Sequence, residues 1–176
     1  VGCQGAALGS RAGFIDRLQP SYVFAPIDVI VAIHAVLTSL AHRFADAGLE
    51  LHADLPPKSL LIQGEERRLQ QLFVNLLENA LRYTDRGGQV RVHVQQERGN
   101  ALIVIEDSTP GVPDEKLSRL FERFYRIETS RSRSSGGSGL GLAICLHIVH
   151  AHRGSIHAEA SPLGGVRIVM TLPLPP

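Results

Sequence analysis

Two asparagines at helical spacing are the first candidates for chemistry in this chain. Asn75 and Asn79 lie four residues apart in an apolar pattern, and Tyr83 follows four residues later, so all three share one helix face. A buried amide without a partner costs about 1 to 3 kcal/mol, so this face requires partners. The partner could be a neighbouring loop or a hard cation such as magnesium, which prefers oxygen ligands. Arg82 adds a cation that could reach a phosphate.

A cluster of glycines follows later in the chain. Gly136, Gly137, Gly139 and Gly141 lie within six residues, immediately before an apolar run with helical spacing. The first N–H groups of a helix lack intrahelical partners and lie at the positive end of its dipole, so they favour phosphate. The alternative is a flexible linker of Gly and Ser, and the glycines alone do not decide between the two.

Two further segments carry groups suited to a nucleotide. Asp107 ends a predicted strand and leads into a rigid turn, so its carboxylate could accept a hydrogen bond from an exocyclic amine; a turn-forming Asp is the common alternative. Residues 126–135 hold three arginines, one glutamate and almost no apolar residues. This composition is typical either of a solvated loop or of a lid over phosphates.

Three amphipathic helices are expected to position these groups. Apolar spacing predicts them at about 28–48, 65–83 and 139–152, the first capped at its first residue. A short helix containing Phe121 and Phe124 is expected between the second and third.

Alternation of apolar and polar residues predicts the strands. The predicted strands are 49–54, 59–62, 90–94 paired with 101–105 through the turn 98–100, and 155–161 paired with 166–172 through Gly164 and Gly165. Helices on one face of such a mixed sheet make an α/β two-layer sandwich.

The length of 176 residues, with 44% hydrophobic and 20% charged residues, fits one globular domain. We expect residues 1–21 to be a linker or the remnant of a preceding helical domain, and residues 22–176 to form the domain, with a lid at about 112–138. The net charge of +1 gives no global indication of a nucleic-acid partner.

The cysteines, the histidines and the apolar segments indicate the cellular compartment and the kinds of site that the chain can form. Cys3 and Cys145 make neither a disulfide framework nor a metal site, which fits a reducing cytoplasm. His147 and His150 share a helix without an evident third metal ligand. The most apolar stretch, 29–41, falls short of the roughly 18 residues of a membrane span, so no direct membrane contact is expected.

Four segments, in the right order and spacing, resemble the N, G1, F and G2 boxes of sensor histidine kinases. They are Asn75–Thr84, Asp107–Gly111, Leu120–Arg126 and Gly137–Leu142. The resemblance covers about Phe24 to Leu172 and is greatest to envelope-stress sensor kinases. It implies the Bergerat-type ATP-binding fold, a mixed sheet with three main helices on one face, with ATP and Mg²⁺ under a mobile lid.

The same resemblance implies roles for individual residues. Asn79 would be the principal magnesium ligand, supported by Asn75, while Arg82 and Tyr83 contact phosphates. Asp107 would bind the amine of adenine. The other residues that it assigns to nucleotide binding are Gly111, Arg126, Gly137, Ser138, Gly139, Leu140, Gly141 and Leu142.

Two aromatic residues and one acidic residue receive expectations of their own. Phe121 and Phe124 would dock the base of the lid against the core. Glu78 joins Asn79 and Arg82 as a catalytic candidate, because it could orient a metal-bound water; alternatively, it pairs with Arg82 at four-residue spacing.

One residue departs from the family pattern. The G1 box reads Asp-x-Gly-x-Gly, and here Thr109 stands at the first glycine while Gly111 keeps the second. A β-branched side chain at this position could crowd the adenine pocket or restrict the loop.

Two other kinds of ATP-dependent enzyme fit less well. Gyrase-type ATPases of the same superfamily place a water-activating glutamate four residues before the magnesium asparagine, and here that residue is Asn75, which cannot take a proton. A P-loop enzyme is excluded because the Gly-x-x-x-x-Gly-Lys-Ser/Thr pattern does not occur.

The expected reaction is phosphoryl transfer from ATP to histidine. Neither His34, His42 nor any later histidine has the sequence context of the acceptor, which is therefore expected on the protein's own dimerisation and phosphoacceptor helices. An aspartate of a response regulator receiver domain would then take the group. The resemblance implies a cytoplasmic domain of a bacterial inner-membrane sensor. The alternatives are a nucleotide-binding regulatory module without catalysis and a gyrase-type ATPase.

Overall fold

The computed structural model describes residues 23–127 and 138–176, so the predicted linker 1–21 and residues 128–137 of the predicted lid lie outside the described residues. The helices are α1 (Val29–Asp46), α2 (Glu66–Tyr83), a short α3 (Asp114–Leu117) followed by a 3-10 turn (Ser118–Phe121), and α4 (Gly141–Ala151). The strands are β1 (Ala25–Asp28), β2 (Glu50–Asp54), β3 (Leu61–Gly64), β4 (Gln89–Glu97), β5 (Asn100–Ser108), β6 (Ser155–Ala160) and β7 (Gly164–Pro173).

These strands form two sheets of unequal size. The larger has the order β2-β4-β5-β7-β6, in which β2 runs parallel to β4 and all other neighbours are antiparallel. Strands β1 and β3 form a separate antiparallel pair. The buried residues of α1, α2 and α4 join those of the larger sheet in one core. The predicted α/β sandwich with a mixed sheet and three main helices is therefore confirmed.

Helix α1 begins where Asp28 caps it. The carboxylate oxygen Oδ1 accepts hydrogen bonds from the N–H groups of Ile30 at 3.0 Å and Leu60 at 3.3 Å, which also ties the helix to the segment before β3. Gly48 follows the helix with a φ of 70°, a conformation that favours glycine. By length and composition alone α1 could cross a membrane, but its buried stripe packs in the domain core beside α2.

Helix α2 is held at its start by a histidine from the end of α4. The N–H of Glu65, the residue that precedes α2, donates to Nε2 of His152 at 3.0 Å. The other ring nitrogen, Nδ1, lies 2.7 Å from the carbonyl oxygen of Ile148 and therefore carries the proton. His152 is only 3% exposed. This buried ring thus joins the end of α4 to the start of α2.

Several element boundaries differ from those that the sequence predicts. Strand β3 begins two residues after the predicted start, and α4 begins at Gly141 because Gly139 has a φ of 70°. Gly164 and Gly165 belong to β7 and do not form the connecting turn. The turn instead lies before them, where the N–H of Gly164 donates to the carbonyl of Ser161 at 2.9 Å.

The predicted helix containing Phe121 and Phe124 is only partly right. Helix α3 and the 3-10 turn end at Phe121, and Phe124 follows them with a φ of 63°. A non-glycine residue in this left-handed region cannot continue a helix.

Replacing His152 with phenylalanine should lower the free energy of unfolding by about 1 to 3 kcal/mol, because the N–H of Glu65 would be left without its acceptor. Urea denaturation followed by circular dichroism measures the change. His150→Phe, on the exposed surface two residues earlier, is the control, and we expect it to change stability by less than about 0.5 kcal/mol. Equal losses in the two variants would contradict the role of His152.

Candidate functional site

The first of the two predicted asparagines connects α2 to the start of α4. The amide nitrogen of Asn75 donates to the carbonyl oxygen of Gly141 at 3.5 Å, a long hydrogen bond. Asn75 also hydrogen-bonds the thiol of Cys145, whose pKa burial raises to about 12 although this hydrogen bond lowers it. The amide of Asn75, for which the sequence predicted a partner, therefore has two partners on α4, Gly141 and Cys145.

Asp107 is a buried acid at the end of β5. It is 8% exposed, and its Oδ1 accepts a hydrogen bond from the N–H of Val166 in β7 at 2.8 Å. Burial raises the pKa of Asp107 to about 7, and the hydrogen bond from Val166 partly opposes that increase. An acid with this pKa takes or releases a proton near neutral pH and has a second oxygen for another donor.

Gly165 of β7 and Gly111 of the loop after β5 allow the two segments to approach closely around this carboxylate. A Cβ on Gly165 would lie 2.0 Å from Oδ1 of Asp107, and a Cβ on Gly111 would lie 2.9 Å from the carbonyl oxygen of Gly164. The pairing of β5 with β7 is irregular at this point, between Glu106 and Ser108. The end of β5 and the start of β7 therefore pack backbone against backbone.

The C-terminal end of α2 lies beside the same loop. The N–H of Asp85 donates to the carbonyl oxygen of Thr109 at 2.9 Å, and the hydroxyl of Ser108 accepts from the N–H of Gln89 at 3.0 Å. Helix α2 therefore connects α4 to the end of β5, which places the predicted asparagine face and Asp107 in one region.

The first residues of α4 have the features of an anion site. A Cβ on Gly141 would meet no atom of the described residues within 4 Å. Within the described part of the chain, α4 has no side-chain cap at its N-terminus and no acidic residue in its first turn. No acidic side chain of the first turn therefore neutralises the positive end of the helix dipole, and no atom of residues 23–127 or 138–176 fills the space beside Gly141.

Gly139 has a different role from Gly141. The N–H of Phe124 donates to the carbonyl oxygen of Gly139 at 2.9 Å, and a Cβ on Gly139 would lie 3.0 Å from the backbone of Phe124. The glycine is thus required for a close backbone crossing between the segment after the 3-10 turn and the segment before α4.

The prediction that both phenylalanines dock against the core is half right. Phe121 packs against the core, whereas Phe124 is 70% exposed. The left-handed backbone of Phe124 and its hydrogen bond to Gly139 accompany a side chain that faces solvent.

Glu78 does not pair with Arg82, the partner that four-residue spacing suggested. Its carboxylate accepts a hydrogen bond from Arg43 of α1 at 2.5 Å. This contact places Glu78 on the side of α2 that meets α1, whereas Asn75 on the same helix meets α4. The ion pair is partly exposed and contributes little to stability.

The other predicted binding residues lie at or near the surface. Asn79 is partly buried, Arg82 and Arg126 are exposed, and Tyr83 is 39% exposed. Ser138 is exposed, Leu140 and Leu142 are partly buried, and Gly137 lies outside the described residues.

The sequence did not indicate that residues of β7 belong to the site. Gly165 and Val166 lie against Asp107, and Gly164 lies against Thr109, although all three are more than fifty residues away in the chain. The only available signal was the Gly-Gly pair itself, which is equally typical of a hairpin turn.

Comparison with known proteins shows the family of this chain. The sequence profile of the family described as histidine kinase-, DNA gyrase B-, and HSP90-like ATPase matches residues 64–176. The chain is 51% identical over 178 aligned residues, 96% of its length, to the signal transduction histidine-protein kinase BaeS of Escherichia coli strain K12. It is 37% identical over 139 residues, 79% of its length, to the sensor histidine kinase CpxA of the same strain. It spans 38% of BaeS and 30% of CpxA.

Solved structures show the same fold. The mycobacterial sensor histidine kinase MprB is 31% identical with a TM-score of 0.74, over 88% of this chain and 99% of that one. The histidine kinase ThkA, solved in complex with the response regulator protein TrrA, is 20% identical with a TM-score of 0.73, over 86% of this chain and 42% of that one. At that identity the second likeness concerns the fold alone.

The chain therefore belongs to the family of histidine kinase-, DNA gyrase B- and HSP90-like ATPases. Within it, the chain is an ATP-binding catalytic domain of the sensor histidine kinases, as its four sequence boxes predicted.

The free energy of unfolding should fall as pH rises between 3.8 and about 7, because folded Asp107 keeps its proton over a range in which the unfolded chain loses it. Asp107→Asn should remove this decline. Urea denaturation at a series of pH values measures it, with Asp54→Asn, a change at a carboxylate that is 82% exposed, as the control. An unchanged pH dependence in Asp107→Asn would contradict the buried-acid interpretation.

Proposed function

We propose that this domain transfers the γ-phosphoryl group of ATP to a histidine on the dimerisation and phosphoacceptor helices of its own protein, for relay to a response regulator receiver domain. The observation that carries the proposal is the convergence of three features on α2. These are the asparagine face, the open N-terminus of α4 and the buried acid that ends β5.

The residues of this region fit ATP. The second oxygen of Asp107 is suited to the amine of adenine, since Oδ1 is already held by Val166. The open space at Gly141 and the unneutralised helix dipole suit phosphate oxygens. Arg82 and Arg126, both exposed, could approach the same phosphates.

The residues also fit a magnesium ion bound together with the nucleotide. Within residues 23–127 and 138–176, no group of three His, Cys, Asp or Glu side chains could hold a metal. Amide oxygens of Asn79 and Asn75, together with phosphate oxygens, are the alternative hard ligands. When bound, magnesium would neutralise phosphate charge during transfer.

Transfer is favoured over hydrolysis by the chemistry of α2. Asn75 cannot act as a base, and Glu78 is engaged by Arg43 on the side of the helix that faces α1. Neither residue is arranged to activate a water molecule. The role of this chain is then to hold the nucleotide in position and to exclude water.

The proposed reaction indicates where in the cell the domain acts and which protein receives the phosphoryl group. ATP and a buried free thiol at Cys145 are compatible with the cytoplasm, and we place the domain on the cytoplasmic side of a bacterial inner-membrane sensor protein. Relay to a response regulator is supported by ThkA, which has the same fold as this chain and was solved in complex with the response regulator protein TrrA.

Asn79→Asp should lower the rate of phosphoryl transfer by at least about a hundredfold, because a carboxylate near the phosphates changes the charge of the site. The measurement is labelling of a separately supplied phosphoacceptor domain from radioactive magnesium-ATP, with circular dichroism to show that the variant is folded. The proposal is overturned if the unmodified domain neither binds magnesium-ATP nor labels the acceptor. Transfer at the normal rate by Asn79→Asp would refute the role of that residue.

Gly141→Ala should separate stability from binding. It should raise the free energy of unfolding by about 0.4 to 1 kcal/mol, because Gly141 has no positive φ and its Cβ would meet no atom of the residues that the structure describes. It should also weaken magnesium-ATP binding, because the methyl group would occupy space beside the phosphates.

Denaturation and calorimetric titration measure the two effects of Gly141→Ala. Gly139→Ala is the contrasting variant, and it should lose stability because its Cβ would lie 3.0 Å from the backbone of Phe124. Unchanged nucleotide affinity in Gly141→Ala would argue against a phosphate position at this residue.

A further inference from the structure

Thr109 lies between two segments that flank the end of β5. Its carbonyl oxygen accepts a hydrogen bond from the N–H of Asp85, in the loop after α2, at 2.9 Å. Its methyl carbon Cγ2 lies 3.1 Å from the position that a Cβ on Gly164 would occupy. The threonine that replaces a family glycine therefore directs its methyl group towards the start of β7.

The same start of β7 holds the Asp107 carboxylate. Val166 donates to Oδ1 of Asp107 at 2.8 Å, and Gly165 leaves the space that this oxygen fills. Gly164, the residue before, is the neighbour of the Thr109 methyl group. The first three residues of β7 thus contact both side chains: Gly165 and Val166 lie against Asp107, and Gly164 lies against Thr109.

Gly164 and Thr109 are matched in shape. Gly164 has a φ of 98°, which favours glycine, and the absence of its side chain leaves the space beside the threonine methyl group. A β-branched side chain has few χ1 conformations, so a methyl group seated here resists rotation. A glycine at position 109 would leave the loop after β5 without this contact and with more backbone freedom.

We propose that Thr109 is a positioning residue for adenine recognition: its methyl group braces the loop after β5 against Gly164 and thereby fixes the direction of the Asp107 carboxylate. This inference rests on the proposed function, because it assumes that Asp107 accepts from the adenine amine. The restricted loop then makes the site more selective for adenine.

Three substitutions separate the methyl group from the hydroxyl group. Thr109→Val keeps the methyl group, Thr109→Ser removes it, and Thr109→Gly removes the whole side chain. Thr38→Ser, on the exposed face of α1, is the matched control for loss of a threonine methyl group.

The first measurement compares the affinity for magnesium-ATP with that for magnesium purine riboside triphosphate, which lacks the 6-amino group. The unmodified domain, Thr109→Val and Thr38→Ser should prefer ATP equally. Thr109→Ser and Thr109→Gly should lose about three- to tenfold of that preference, as a misaligned hydrogen bond would. Affinity for the analogue itself should not change, because its phosphate contacts remain.

The second measurement needs no nucleotide. Hydrogen exchange at the amide of Val166 should accelerate in Thr109→Ser and Thr109→Gly and stay unchanged in Thr109→Val, because that amide donates to Asp107.

Unchanged preference for ATP and unchanged exchange in Thr109→Ser and Thr109→Gly would overturn this inference but not the proposed function. If the unmodified domain binds neither nucleotide, the proposed function is overturned, and the role in adenine recognition with it. A loss in Thr109→Val as large as that in Thr109→Ser would show that the methyl group does not carry the effect, and a loss in Thr109→Val alone would assign it to the hydroxyl group; either result would also overturn the inference.

Discussion

The start of β7 approaches the end of β5 so closely that no side chain fits between them, and the site depends on this contact. A Cβ on Gly165 would collide with Asp107 and with the carbonyl of Ser108, at 2.0 and 2.2 Å. The contact removes the carboxylate from water and provides the N–H of Val166 as its partner. A buried acid with only one backbone donor favours its neutral form, so one steric constraint determines both the position and the ionisation of the group.

Helix α2 transmits this constraint to the rest of the site. Its start is held by His152, its middle by the contact of Asn75 with Gly141, and its end by the hydrogen bond from Asp85 to Thr109. These contacts come from α4 and from the end of β5. A shift of α2 would therefore move the start of α4 and the loop after β5 relative to each other.

The sequence predicts elements whose signals are local. The apolar spacing of α1 and α2 and the alternation in the hairpin of β4 and β5 come from neighbouring residues, and the structure confirms all of them. The cap at Asp28 was likewise visible because a cap and its helix are adjacent in the chain.

Contacts between distant segments were not predictable in the same way. In the sequence, Arg82 is the cation at helical spacing from Glu78, and only the packing of α1 against α2 shows that the partner is Arg43. The exposure of Phe124 follows from a backbone crossing with Gly139, fifteen residues later. In the sequence Gly165 is typical of a turn residue. Its contact with Asp107 depends on the pairing of β5 with β7, which the sequence alone does not give.

The burial of Cys145 has a practical consequence. Its thiol is fully buried between α4 and α2, within 3.8 Å of the carbonyl of Leu72, and its pKa is raised to about 12. Only the thiolate reacts readily with alkylating reagents, so the folded domain protects this sulfur both sterically and electronically. The rate at which Cys145 becomes alkylated therefore reports how often α4 separates from α2, the two helices that carry Gly141 and the asparagine face.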